Sequence, residues 1–173
     1  MINETSTREE IMAALKQTTD EMVILIRELP EEKLNTVPYQ DSWTAGQLVR
    51  HVTKSLIGIG ETMPLKGQPA GRETTQRVKE LSGIFLDFST KMQSPDFIIP
   101  EDMIYVKNDS IREIDDAFEM TRVNSNNTDL TELLKDTPFG TVTKLELLHF
   151  ALYHTQRHQN QLRRITTELN KKD

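Results

Sequence analysis

The fold of this chain is decided by residues 143–169, whose centre is Leu148-His149-Phe150-Ala151-Leu152-Tyr153-His154-Thr155-Gln156-Arg157-His158-Gln159-Asn160-Gln161-Leu162. Apolar residues recur there at steps of three and four, which predicts a long amphipathic helix. His154 and His158 are four residues apart on that apolar stripe, where a bundle helix normally carries leucine. A buried imidazole without a partner costs roughly 1–3 kcal/mol, so each ring needs one. A metal ion is the partner that would satisfy both rings at once.

Most histidine pairs with this spacing on amphipathic helices do not bind a metal. This chain also lacks two known metal-site signatures. A zincin needs glutamate directly after the first histidine, but Thr155 follows His154. A di-iron bundle needs the ExxH spacing on two helices, and only Glu146-x-x-His149 has it. A third ligand from elsewhere would make the signal stronger. His51 is the candidate, because the chain has four histidines and His149 lies about 140° around the helix from His154.

The composition excludes several classes of protein. With 173 residues the chain is predicted to form one domain, residues 1–173. The net charge is −6 and no basic patch is evident, which argues against nucleic acid and anionic membrane surfaces as partners. A polar N-terminus and the lack of a long apolar run predict a cytoplasmic protein without a membrane span. The absence of cysteine excludes disulfides, thiolate ligands and a cysteine nucleophile.

Capping boxes predict where the first two helices begin. Ser6-x-x-Glu9 would open a helix that ends before residue 30, and residues 30–42 would connect it to an antiparallel neighbour. Thr44-x-x-Gln47 would open the second helix, with Trp43 and Leu48 placed as a hydrophobic staple. That staple accounts for the only tryptophan without any ligand. His51 lies at the edge of the apolar stripe of this second helix.

The middle of the chain is less regular. Residues 58–71 are rich in glycine and proline and predict a loop, and residues 94–108 are predicted to be extended. Residues 76–92 predict an accessory helix with the stripe Val78, Leu81, Phe85, Phe88 and Met92. Ser110-x-x-Glu113 would open the next core helix, which would fade in the asparagine-rich run 124–127.

A short helix is predicted near residues 130–135 and a turn at 138–140, before the cap of the last helix at Thr143-x-x-Glu146. Glu146 is explained by this capping box, so we do not assign it as a metal ligand or a base. No useful β-alternation and no internal repeat occur. The sequence therefore predicts an all-α chain of bundled helices.

Antiparallel four-helix bundles build metal sites from side chains on facing helices. His51 and the pair His154 and His158 could present three nitrogens to one ion, with an open position for water or a substrate thiol. Three protein ligands and an open position are typical of catalytic sites, whereas structural sites are closed by four. Gln161, one turn beyond His158, could orient a ligand or a bound water, or it could be an ordinary boundary residue.

Three motifs in this order resemble the DinB/YfiT-like superfamily over nearly the whole chain. They are Ser42-Trp43-Thr44-x-x-Gln47-x-x-x-His51-Val52, Pro138-Phe139-Gly140-x-x-Thr143 and His154-x-x-x-His158-x-x-Gln161-Leu162. The resemblance implies an antiparallel four-helix bundle in which His51, His154 and His158 bind a divalent metal ion. Relatives include metal-dependent transferases that act with small thiols, as well as members of no known activity, and they are often homodimers. The helix at residues 76–92 looks like an insertion between the second and third core helices.

The function implied by this resemblance is that of a metal-dependent transferase of the small-thiol type, or a hydrolase, acting on a small-molecule substrate. The metal would be Zn, Ni, Fe or Mn, and the thiol must come from outside because the chain has no cysteine. The competing interpretation is a non-catalytic bundle in which a metal, or the histidines alone, stabilises the fold or a homodimer. The lack of an obvious carboxylate base keeps that alternative open.

Overall fold

The structure, a computed structural model, describes residues 2–171 apart from the side chain of Asp136, so Met1, Lys172 and Asp173 of the predicted domain lie outside its described part. In chain order the elements are α1 (Arg8–Glu28), α2 (Ala45–Thr62), α3 (Val78–Phe85), α4 (Lys107–Asn126), β1 (Leu133–Thr137), β2 (Gly140–Thr143) and α5 (Lys144–Asn170). Single turns of 3-10 helix lie at Glu31–Lys33 and Asp96–Ile98. The predicted four-helix bundle is confirmed, with α1, α2, α4 and α5 as its long helices.

The long helices pack in pairs that run in the same direction. α1 packs mainly on α5, and α2 packs mainly on α4. The Leu56 and Gly60 carbonyls of α2 accept from Thr121 and Asn124 of α4 in ascending order, so these two helices are parallel. Bundle helices that follow one another in the same direction are joined by a long crossover connection, and residues 63–106 form that connection between α2 and α4. The connection at residues 30–42 is predicted to join antiparallel neighbours. It joins α1 to α2, but each of these helices packs mainly on a different helix, α1 on α5 and α2 on α4.

The core lies between the four long helices. α2 also packs on α5, and the end of α2 lies near the start of α5, because Gln68 pairs with Leu133 of the hairpin and Leu133 pairs with Thr143, the N-cap of α5. α2 and α5 therefore run in opposite directions. The largest fully buried side chains include Ile11, Leu15, Met22, Ile26, Leu48, Leu56, Ile114 and Leu148.

Two of the four predicted capping boxes are found at the N-termini of helices. The boxes at Thr44 and Thr143 are both formed. The cap of α1 was predicted one residue too early, since the box is formed by Thr7 and Glu10. The predicted cap at Ser110 is wrong, because α4 already begins at Lys107 and the Ser110 hydroxyl donates to a carbonyl in the preceding turn.

The loop predicted from residue 58 onward, on the basis of its glycines, begins too early. α2 continues through both of its later glycines to Thr62. A Cβ atom at Gly60 would lie 3.1 Å from the Met120 side chain, so the close approach of α4 accounts for glycine at this position. Tertiary packing thus outweighs the low helix propensity of glycine.

The predicted accessory helix is shorter than expected, and the predicted short helix at 130–135 is a strand. α3 ends at Phe85, and the last two residues of its predicted stripe, Phe88 and Met92, lie beyond it and are exposed. β1 pairs with β2 in an antiparallel hairpin that begins its second strand at Gly140, where φ is +84°. The segment 94–108 is extended except for its 3-10 turn and the start of α4.

Candidate metal centre

Three histidines from two antiparallel helices meet in the interior. The Nε2 atom of His51 on α2 lies 3.1 Å from Nε2 of His154 and 3.1 Å from Nε2 of His158, and the two α5 atoms are 3.2 Å apart. All three side chains are buried, with exposed fractions of 1%, 6% and 8%. His51, predicted at the edge of its stripe, is the most deeply buried of them. The two helices thus bring together the three residues that the sequence analysis singled out.

The outer nitrogens of two rings determine where their protons are. His51 Nδ1 lies 2.9 Å from the carbonyl oxygen of Ile98, and His158 Nδ1 lies 3.0 Å from Oε1 of Gln161. A carbonyl oxygen can only accept, so both Nδ1 atoms donate. In a neutral imidazole the Nε2 atom then carries a lone pair. Two lone pairs consequently face each other, and the single ring proton of His154 can satisfy only one of them.

All three rings are neutral at neutral pH. Burial lowers the pKa of His154 well below its ordinary value and that of His158 to about 3, and the positive charge of Arg157 lowers both further. Burial also lowers the pKa of His51, although its hydrogen bond to Ile98 opposes the shift. Neutral imidazole is the form that binds metal ions, so no proton has to leave before an ion enters.

The spacing of the three nitrogens suits a divalent ion. Ligands about 2.0–2.1 Å from a tetrahedral zinc ion lie about 3.3 Å from one another. The nitrogens here are 3.1 to 3.2 Å apart. Among the described side chains, the group that could hold an ion contains these three and no fourth, which leaves one position open. Imidazole ligation is compatible with Zn, Ni, Fe or Cu.

The histidines line a cleft of about 1540 Å³. One wall is aromatic: the ring of Phe150 lies 5.2 Å from that of His154, 4.9 Å from Phe85 and 4.4 Å from Phe139. Trp43 lies on the other side, 4.9 Å from the ring of the α2 histidine. The tryptophan predicted to be a staple therefore also lines the cleft. The cleft is large enough for a small molecule beside the three nitrogens.

The sequence profile of the DinB superfamily matches residues 14–162. The chain belongs to the DinB superfamily. Among solved structures, this DinB protein is similar to YfiT from Bacillus subtilis, described as a probable metal-dependent hydrolase with an unusual four-helix bundle topology. The TM-score is 0.61 at 13% identity, over 98% of this chain and 93% of YfiT, a likeness that shows the fold. No curated protein sequence matches. That α3 is an insertion relative to other DinB proteins stays a prediction.

The sequence analysis missed the backbone segment that closes the cleft of this DinB protein, residues 86–99. Arg157 of α5 donates to the carbonyl of Asp87 over 2.6 Å, which fixes one end. Lys54 of α2 donates to the carbonyl of Ile99 over 2.7 Å, which fixes the other. These acceptors are backbone oxygens, which any residue type supplies, so no sequence motif could have revealed them.

The other three residues considered in the sequence analysis, Gln161, His149 and Glu146, lie in different surroundings. Gln161 contacts His158, so it lies where the orienting role would require it. His149 is buried away from the histidine group: its Nδ1 lies 3.2 Å from the Tyr153 hydroxyl, and its Nε2 has no partner among the described residues. Glu146 forms the predicted capping box, but it also makes an ion pair that the sequence did not indicate. None of the three supplies a further ligand.

Lowering the pH is expected to destabilise the metal-free protein between about pH 6.5 and 4.5. Burial lowers the pKa of His149 to about 4 and that of His158 to about 3, whereas an unfolded histidine titrates near 6.5. The unfolded state therefore binds more protons in this range. The free energy of unfolding should fall by up to about 1.4 kcal/mol per pH unit for each such histidine.

Urea denaturation in the presence of a chelator at several pH values measures this effect. The carboxylates with lowered pKa titrate below this range, so they do not obscure it. His149→Gln should show a shallower slope, because one of the buried histidines is gone. A free energy of unfolding that stays constant from neutral pH to about 4.5 would contradict the buried neutral rings.

Within the described residues, none of the helices has the length and apolar character that crossing a membrane requires.

Proposed function

We propose that this DinB protein is a divalent-metal-dependent enzyme that transfers a group between a small thiol and a small-molecule electrophile. His51, His154 and His158 would hold the ion, with Zn, Ni, Fe or Mn as candidates. The observation that carries the proposal is the pair of facing Nε2 lone pairs beside an open cleft. A cation between those nitrogens removes their repulsion, and its open position gives it access to the cleft.

A divalent ion held there would supply Lewis acidity and lower the pKa of a thiol or water at the open position. The protein's own groups would perform the remaining tasks. The hydrogen bonds to Ile98 and Gln161 orient two rings and fix their tautomers. The positive charge of Arg157, which already lowers the pKa of two of the histidines, favours an anionic nucleophile. The wall of Phe85 and Phe150 keeps water from this side of the site.

Thiol transfer is favoured over hydrolysis by the lack of a base. In the described part of the chain, no carboxylate is close enough to join the histidine group. A free thiol has a pKa near 8.5, whereas bulk water has one near 15.7, so a thiol needs far less help to ionise. Hydrolysis is the second candidate, because YfiT is described as a probable metal-dependent hydrolase. A third is a non-catalytic bundle whose metal stabilises the fold or a homodimer.

The test is to load the metal-free protein with Zn, Ni, Mn or Fe(II) and offer low-molecular-weight thiols with generic electrophiles, such as an activated aryl halide or aryl ester. Thiol consumption should require metal and should fall to the metal-free background in His154→Ala. His149→Gln, on the same helix but outside the histidine group, is the matched control and should retain the rate. Release of the ester's alcohol without thiol consumption would favour the hydrolase.

Cobalt substitution distinguishes the non-catalytic alternative. A thiol that enters the open position of the Co(II) protein should produce a sulfur-to-cobalt absorption band. Absence of this band with every thiol, together with no rate above background for any pairing, would show that the metal has a structural role.

A further inference from the structure

Ser55 is a polar residue in the cleft that the proposed mechanism does not use. It lies on α2 one turn after His51, so their Cβ atoms are about 5–6 Å apart on the same face. Its exposed fraction is 6%, and it lines the cleft. Because α2 and α5 run in opposite directions, it lies toward the part of α5 that carries Phe150. Within the described part of the chain, the Ser55 hydroxyl has no hydrogen-bond partner.

This lack of a partner sets Ser55 apart from the other hydroxyls of the long helices. A serine or threonine inside a helix commonly donates to the carbonyl four residues earlier. Among the described residues of the long helices, seven hydroxyls do so, namely those of Thr18, Thr53, Thr62, Ser110, Thr121, Thr155 and Thr167. The Ser55 oxygen is not one of the fully enclosed polar atoms without a partner, so it is open to the cleft and can hydrogen-bond to a molecule that occupies it.

A nucleophilic role for this serine does not fit the structure. An activated serine needs a base within hydrogen-bonding distance, and Ser55 has none among the described residues. The nearest imidazole on its own helix, that of His51, is engaged through Nδ1 with Ile98 and through Nε2 with the histidine group. Ligand binding is the role that remains.

We propose that Ser55 binds the substrate through a hydrogen bond to an oxygen atom next to the group that reaches the histidine site. The aromatic surface of Phe139 and Phe150 would take the apolar part of the same molecule. The substrate class is therefore an aryl or acyl compound that carries a carbonyl or hydroxyl oxygen beside its reacting atom. This inference rests on the proposed metal-dependent function, since it places the substrate relative to the histidine site.

Two aromatic zinc ligands test the inference: benzohydroxamic acid, which carries oxygen atoms, and thiophenol, which carries none. Titration into the Zn-loaded protein can be followed by the fluorescence of Trp43, the only tryptophan, which lines the cleft. Ser55→Ala should weaken benzohydroxamate about 3- to 10-fold, the loss expected for one neutral hydrogen bond. It should leave thiophenol unchanged, so the ratio of the two affinities shifts.

Ser110→Ala is the matched control, because Ser110 has the same exposed fraction of 6% but donates to Val106 and does not line the cleft. That variant should leave both affinities unchanged. An unchanged affinity ratio in Ser55→Ala, or an equal loss for both ligands, would overturn the role of Ser55 while zinc binding stands. Failure of the wild-type protein to bind zinc would overturn the proposed function and, with it, this inference.

Discussion

His154→Ala is expected to abolish metal binding, whereas the wild-type protein purified without a polyhistidine tag should carry close to one divalent ion per chain. The three Nε2 atoms are mutually within 3.2 Å, so the loss of one removes a ligand from a site for which the described side chains offer no fourth as a replacement. Removing a group that merely orients a ligand typically weakens metal affinity about 10- to 100-fold, and removing a ligand should cost more. Elemental analysis measures the metal content.

His51→Ala and His158→Ala should have the same effect, and His149→Gln should have none. His149 is as deeply buried on the same helix as the ligand pair, which makes it a control for general disturbance of α5. Full metal retention in His51→Ala would rule out the three-ligand site. Loss of metal in His149→Gln, with helicity preserved by circular dichroism, would show that the ligands have been assigned to the wrong face of α5.

Glu146→Ala is expected to lower the free energy of unfolding by about 3 kcal/mol, the lower end of the cost of removing one partner from a buried ion pair, because the Arg72 side chain is 21% exposed. The carboxylate is fully buried and accepts from two nitrogens of Arg72, over 2.7 and 2.6 Å. It also accepts from the backbone N–H groups of Thr143 and Arg77. Burial alone would raise the pKa of Glu146, but these donors outweigh it and the pKa is lowered. The variant would remove this acceptor from all of these donors, and Arg72 would keep its hydrogen bond to the Glu73 carbonyl.

Glu10→Ala is the matched control for this experiment. Glu10 occupies the same position in the capping box of α1 and accepts from Thr7 over 2.7 Å, but it is exposed and pairs with no arginine among the described residues. Its loss should cost about 1 kcal/mol, the value of one ordinary hydrogen bond. Urea denaturation of both variants gives the comparison. Equal losses would mean that Glu146 acts only as a cap and that the pairing with Arg72 contributes nothing.

The identity of Glu146 as a cap was apparent from the sequence, but its ion pair was not. A capping box depends on four consecutive residues, so it can be seen in a local pattern. The ion pair with Arg72 joins residues 74 positions apart in sequence, and no spacing rule connects them. It anchors the segment before α3, which then packs Phe85 against the aromatic wall of the cleft. Glu146 is therefore both a helix cap and one partner of a long-range ion pair, and the sequence predicts only its role as a cap.

The hairpin before α5 shows why the prediction of a short helix failed. Leu133 and Leu134 are too few residues to show a strand period, and their strand state is produced by pairing with Val142 and Thr143. The same holds for Gly60, whose helical state depends on close packing against α4. Short or weakly periodic segments take their conformation from contacts that lie outside their own sequence window.

The sequence by itself determined the long helices of the bundle and the two α5 histidines, because apolar period, capping boxes and the four-residue spacing are all local. It also pointed to His51 by elimination among four histidines. Only the tertiary structure decided that the three Nε2 atoms meet, that Ile98 and Gln161 fix the tautomers of His51 and His158, and that Ser55 faces a cleft without a partner in the described part of the chain. Those facts depend on how α2 and α5 are packed and on a backbone carbonyl from a distant segment, which residue types alone do not specify.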